Sequence, residues 1–205
     1  MNGLLGPNAL YMFILRAVAV LLVIPFHEAA HAFVSWKLGD PTAKNAGRLS
    51  LNPLRHFDPL GTLCMVLGGV GWARPVGIDA RRFRDPKKGM ALSAAAGPAA
   101  NLLLAYVCVL LYKALFYLMA GGAAVPGFVL DFLSVLASLN ISLGVLFLPP
   151  RLYFRAMRYE RYIMGAVLLL VFFGLLDRPL SFCVSAVWGL MDLTTGFVDA
   201  AFGMI

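Results

Sequence analysis

The sequence predicts an all-α polytopic membrane protein: about four transmembrane helices plus a short membrane-associated segment and a C-terminal helix, in one membrane-embedded domain over residues 1–205. Three observations predict it. Of 205 residues, 61% are hydrophobic and only 13% charged, whereas a soluble globular domain runs nearer ~45–50% apolar and ~25% charged. The apolar residues fall in blocks long enough to cross a hydrocarbon core of ~30 Å. The net charge is +7, and most of the basic residues fall in the linkers between blocks. Lys37, Lys44, Arg48, Arg55, Arg74, Arg81, Arg82, Arg84, Lys87 and Lys88 separate the first two blocks, Arg151, Arg155, Arg158 and Arg161 form a later basic linker, and residues 120–127 carry no charge. The positive-inside rule puts the basic linkers in the cytosol. In so apolar a chain this charge reads as topology and anionic-lipid contact, and no nucleic-acid partner is expected.

The first span is expected from Ala9 to Leu38, with Arg16 as the one charge before Pro25. Arg16 either snorkels to the outer interface or pairs inside the bundle. A polar linker follows from Gly39 to Asp58, with Asn52-Pro53 as a turn signal. Gly61 to Gly71 is apolar but short, which suits a re-entrant or interfacial piece. The second span is read as Met90 to Met119, interrupted at Gly97-Pro98, the third as Phe128 to Leu148, and the fourth as Tyr162 to Leu176. Leu180 to Ile205, with Asp192 and Asp199, is either a last span or an interfacial helix. The N-terminus and Asp177 are then outside. A signal peptide cut at Ala30-His31-Ala32 is the lesser reading, because residues 1–15 contain no Lys or Arg. Cys64, Cys108 and Cys183 are odd in number and far apart, so each is expected as a buried apolar residue and not a disulfide or metal ligand.

The chemistry-bearing motif is His27-Glu28-Ala29-Ala30-His31. On a helix it sets two imidazoles one turn apart on one face, with a carboxylate between them. Two histidines can hold a zinc ion while the glutamate acts as general base toward a water molecule. Ionisable residues within an apolar helix are costly and usually functional, which argues against chance spacing. His27 and His31 are thus candidate metal ligands and Glu28 the candidate catalytic base, at the cytosolic end of the first span.

Further stretches accompany the motif: Gly47-Arg48-Leu49-Ser50-Leu51-Asn52-Pro53, His56-Phe57-Asp58-Pro59-Leu60-Gly61-Thr62, Gly71-Trp72-Ala73-Arg74-Pro75-Val76 and Ala96-Gly97-Pro98-Ala99-Ala100-Asn101. Together, in this order, they resemble the site-2 protease family of intramembrane zinc metalloproteases in its small bacterial form. The resemblance implies one zinc ion on His27 and His31, Glu28 as base, and a transmembrane protein substrate bent and cut near the cytosolic face of the bacterial cytoplasmic membrane. It also implies that Asn101 lines the site and orients substrate backbone. The alternative for Asn101 is a helix-packing amide bonded to a backbone carbonyl; Asn140 has the same two readings. The segment around Gly71 to Val76 either fixes a turn at the membrane surface, through Trp72 and Pro75, or pairs with an extended substrate.

One departure bears on activity. The family supplies a third zinc ligand as an aspartate followed by glycine in a break of the third core span. Here that span reads Asn140-Ile141-Ser142-Leu143-Gly144-Val145-Leu146-Phe147-Leu148-Pro149-Pro150-Arg151, without the Asp-Gly pair. His56 and Asp58 are candidates to replace the aspartate; Asp131 and Asp177 are expected too far away. The expected function is therefore intramembrane peptide hydrolysis, with a non-cleaving binder of membrane segments as the alternative.

Overall fold

The computed structural model describes residues 8–68, 74, 76–145 and 177–202. Every regular element among them is helical. The first helix, α1 (Ala9–Lys37), is 29 residues long and runs through Pro25 without stopping. It gives way at Gly39, whose φ of 107° lies in the region that favours glycine. Four-residue α2 (Thr42–Asn45) and a 3-10 turn (Pro53–Arg55) follow. Asn52 caps that turn by accepting from the Leu54 N–H at 3.0 Å, so the Asn-Pro signal is a turn as expected. The short apolar piece forms α3 (Pro59–Gly68), and Asp58 Oδ1 accepts from the Gly61 N–H at 2.8 Å across its first turn.

The second long helix, α4 (Pro86–Ala120), begins four residues before the sequence expectation. Asp85 explains this: its carboxylate accepts from the Lys87 and Lys88 N–H groups, and Pro86 sits in the first turn, where its missing N–H costs nothing. Gly97-Pro98 does not interrupt α4. The third, α5 (Gly127–Val145), returns beside it. Gly144 lets α5 approach closely: a Cβ there would stand 3.3 Å from the Pro98 carbonyl and 2.7 Å from the Leu102 side chain. After residues 146–176, α6 (Asp177–Thr194) and α7 (Gly196–Ala201) follow, divided at Thr195.

Four helical stretches are long and apolar enough to cross a membrane: Ala9–Lys37, Pro86–Ala120, Gly127–Val145 and Ser181–Ala201. The last, divided at Thr195, is long and apolar enough to be a span, and both C-terminal alternatives stay open. The span expected at Tyr162 to Leu176, the basic linker Arg151 to Arg161 and the chain after Val145 lie outside the described residues. Helices α1, α4 and α5 share one apolar core, including Val20, Val23, Ala105, Cys108, Leu136 and Ile141, with Met191 of α6 added to it. Of the cysteines only Cys108 is buried; Cys183 is exposed, because a lipid-facing wall of a membrane helix is as apolar as a core and hides nothing from the bilayer.

Candidate metal centre

Helix α1 does what the spacing predicts. His27 and His31 project one turn apart, with Nε2 atoms 3.0 Å from each other and ring centroids 4.6 Å apart. Glu28 lies between them in sequence and is buried. One donor atom from each of the three residues falls within 4.8 Å of the others. Trp36, one turn beyond, carries Lys37 and Lys44 over its ring at 4.8 and 4.1 Å. Such a cation-flanked tryptophan marks a membrane interface.

The opposite wall is one face of α4. His31 Nδ1 meets the Ser93 carbonyl at 2.6 Å, which turns Nε2 toward His27. Four residues on, Gly97 packs directly on both imidazoles: a Cβ at that position would lie 2.7 Å from His27 Nε2 and collide with His31 Nε2. Another four residues on, Asn101 stands beside His27. It is fully buried against the His27 imidazole, and among the described residues neither atom of its amide makes a hydrogen bond of good geometry. Among the described residues it makes no bond to a backbone carbonyl. Asn140 does make one, donating to the Leu136 carbonyl at 2.8 Å.

The linkers close the third side. Val76 presents its backbone N–H to the Glu28 carboxylate, and Arg48 lies near the same group. Arg48 and Arg55 fasten this loop, Arg48 donating to the Arg55 carbonyl and Arg55 to the Gly47 carbonyl at 2.9 Å. His56 is fully buried. Its Nε2 meets the Ser50 carbonyl at 2.8 Å, and its own carbonyl accepts from the Arg74 N–H at 3.0 Å. Asp40 ties in the rest, accepting from Thr42 and, at 2.7 Å, from the Asp79 N–H. Five stretches scattered over 75 residues of sequence thus meet at one place. Trp72 and Pro75 lie outside the described residues.

The donor set fits zinc. Tetrahedral zinc with Zn–N bonds of ~2.0–2.1 Å separates two ligand nitrogens by ~3.3 Å, close to the 3.0 Å here. The His31 ring is oriented by a backbone carbonyl on its far nitrogen, as metal-ligating histidines commonly are. The two candidate replacements for the lost aspartate are engaged elsewhere, His56 holding Ser50 and Asp58 capping α3, and Asp131, expected too far away, accepts from Tyr11 at 2.6 Å. Among the described residues, Glu28 is the one carboxylate grouped with the two histidines. Sequence reasoning missed Ser93; its spacing of four from Gly97, and of eight from Asn101, on α4 was the available signal.

No family model matches the chain, and no solved structure is a significant match to it. Curated relatives do match. "Putative zinc metalloprotease YwhC" of Bacillus subtilis is 46% identical over 92 residues, covering 44% of this chain and 42% of the relative. "Putative zinc metalloprotease Rip2" of Mycolicibacterium smegmatis is 34% identical over 108 residues, covering 50% and 41%. Its Mycobacterium tuberculosis counterpart is 30% identical over 110 residues, covering 51% and 42%. The chain spans about two-fifths of the length of these relatives. Over about half of its own length it is homologous to proteins described as zinc metalloproteases, of the site-2 protease family.

Proposed function

We propose that the protein is an intramembrane zinc metalloprotease that hydrolyses peptide bonds of membrane-embedded protein substrates near the cytosolic face of a bacterial cytoplasmic membrane. The observation that carries this reading is the convergence of His27, His31 and Glu28 on the Ser93–Gly97–Asn101 face of α4. His27 and His31 would hold the zinc. When bound, zinc supplies a Lewis acid that makes water acidic enough to attack a carbonyl at neutral pH. Glu28 takes the proton released as water adds to the carbonyl carbon, and returns it to the amide nitrogen as the C–N bond breaks. Its burial beside the Val76 amide holds the carboxylate in place for both transfers. The Asn101 amide, buried beside His27, pairs with substrate backbone exposed when a helix unwinds in the membrane. The basic residues from Arg74 to Lys88 keep this end of α1 on the cytosolic side.

A second reading is favoured by one observation: among the described residues nothing but the base itself stands where a third ligand should. On that reading the protein binds membrane segments without cleaving them. Zinc per chain in purified, detergent-solubilised protein separates the two, beside a His27→Ala/His31→Ala control. The protease reading expects about one zinc in the parent, none in the control, and substrate cleavage that Glu28→Gln abolishes with zinc retained. Little zinc in both proteins, or cleavage indifferent to Glu28→Gln, overturns it.

A further inference from the structure

The outer half of α1 holds a group that the metal centre does not use. Arg16 is the one charge in the apolar stretch before Pro25, and no carboxylate among the described residues pairs with it. Counting ~20 residues of 1.5 Å up from Trp36 spans a ~30 Å hydrocarbon core and ends at Arg16. Its guanidinium therefore lies at the outer boundary, where lipid phosphates sit. It lines a cleft of about 350 Å³ between α1 and α5, together with Ser134, Ser138 and Ser142.

The serines share one face of α5, at intervals of four residues. Ser134 donates to the Asp131 carbonyl at 2.8 Å. Ser138 and Ser142 make no such bond back to their own helix, although serines in apolar helices commonly do. Asp131 stands one turn further out, one carboxylate oxygen accepting from Tyr11 at 2.6 Å. Along α5 the order is Asp131, Ser134, Ser138 and Ser142, and Arg16 of α1 lines the same cleft as the three serines.

We propose that this cleft binds one outer-leaflet phospholipid with an amine headgroup. The phosphate sits on Arg16, whose planar fork suits two phosphate oxygens. The ammonium turns outward to Asp131, and the glycerol ester carbonyls accept from Ser138 and Ser142. A phospholipid carries ammonium, phosphate and ester carbonyls in that sequence. The charges oppose group by group, and the arrangement gives Arg16 the partner that an intramembrane cation requires. The lipid belongs to this chain's own residues and does not depend on whether the inner site cuts peptides.

The test reconstitutes the full chain in nanodiscs of equal phosphatidylethanolamine and phosphatidylglycerol, extracts it in mild detergent, and counts retained lipids by native mass spectrometry. The parent is expected to keep one phosphatidylethanolamine, about tenfold over phosphatidylglycerol, the preference that 1.4 kcal/mol of differential affinity gives. Arg16→Leu should lose both lipids. Asp131→Asn, which leaves the guanidinium in place, should keep a phospholipid but lose the preference. Ser138→Ala/Ser142→Ala should weaken retention without changing the headgroup preference. Helix content by circular dichroism checks that each variant is folded. A parent that keeps no lipid, an Arg16→Leu protein that keeps it as the parent does, or an Asp131→Asn protein with unaltered preference overturns the proposal. So does inorganic phosphate occupying the lipid-free protein at millimolar concentration, since that would make the site one for free anions.

Discussion

The two ends of the helical bundle handle polar groups in opposite ways. At the outer end they satisfy one another. Lys113 Nζ lies 2.7 Å from both Asp192 and Asp199, and the Tyr117 hydroxyl donates to Asp199 at 2.7 Å. These bonds join α4 to α6 and α7, and Tyr117 stacks on Phe202 with ring centroids 5.2 Å apart. At the inner end, among the described residues, polar atoms are buried without a well-formed hydrogen bond: His27 Nδ1, the Ser93 hydroxyl and the Asn101 amide, which lies against His27. An unpaired buried polar atom costs about 1–3 kcal/mol. A fold retains several in one place only where something else uses them. Paired charges in an apolar region read as adhesive, and orphaned ones as a site.

The largest effect that tests this contrast comes from adding one methyl group at the inner end. Gly97→Ala improves helix propensity by about 1 kcal/mol, so α4 itself should not suffer. The new Cβ would nevertheless stand where both imidazoles sit. Zinc content and cleavage are expected to fall by at least ~10–100-fold, the range seen when a ligand's orientation alone is disturbed, with helix content unchanged. Zinc retained at parental level would mean that the inner cluster is packing and not a centre.

The outer end should answer differently. Lys113→Met leaves Asp192 and Asp199 facing each other across α6 and α7 without their cation. The expected result is a fall of about 2–4 °C in the thermal midpoint in detergent, with zinc content untouched. Adding Asp192→Asn and Asp199→Asn to that variant should recover most of the loss, because neutral groups of similar shape remove the uncompensated charge. Zinc lost along with the outer pairing would show that the two ends are one coupled unit and would break the comparison.

Much of this was legible in the sequence, and the part that was not has a physical reason. The bounds of α1 follow from composition, and the motif stretches around His27, Arg48, His56 and Asn101 announced a common site. Neither propensity nor pattern could place Val76 on Glu28 or Arg74 on the His56 carbonyl, because those are bonds of irregular backbone that only the assembled loops create. Gly97-Pro98 read as a break because proline removes an N–H; α4 continues because its neighbours α1 and α5 hold both sides of that turn. Lys113 went unremarked as one cation in a long apolar helix, since its two carboxylates lie about 80 residues away. The missing Asp-Gly pair was plain in the sequence, and no other carboxylate among the described residues moves in to replace it.

The smallest effect sharpens the contrast from an intermediate case. His56 is buried in the inner linkers with one nitrogen paired to Ser50 and Nδ1 unpaired. Burial pushes its pKa below the ordinary value near 6.5, against the Ser50 carbonyl, which favours the charged form; the nearby Arg48 and Arg55 push it further down. The folded protein therefore resists protonation that the unfolded chain accepts. The stability contributed by neutral His56 is complete above pH ~6.5 and declines as pH falls from there toward the lowered folded value. Amide protection over residues 47–58, taken relative to the intrinsic exchange rate at each pH, should fall below pH ~6.5 in the parent, and His56→Gln, which keeps a donor for Ser50 but cannot charge, should flatten that dependence. Zinc content measured above pH 7 should be the same in both. If His56→Gln instead loses zinc at pH 7.5, the orphaned Nδ1 belongs to the centre, and the boundary between paired structure and unpaired site runs through His56 itself.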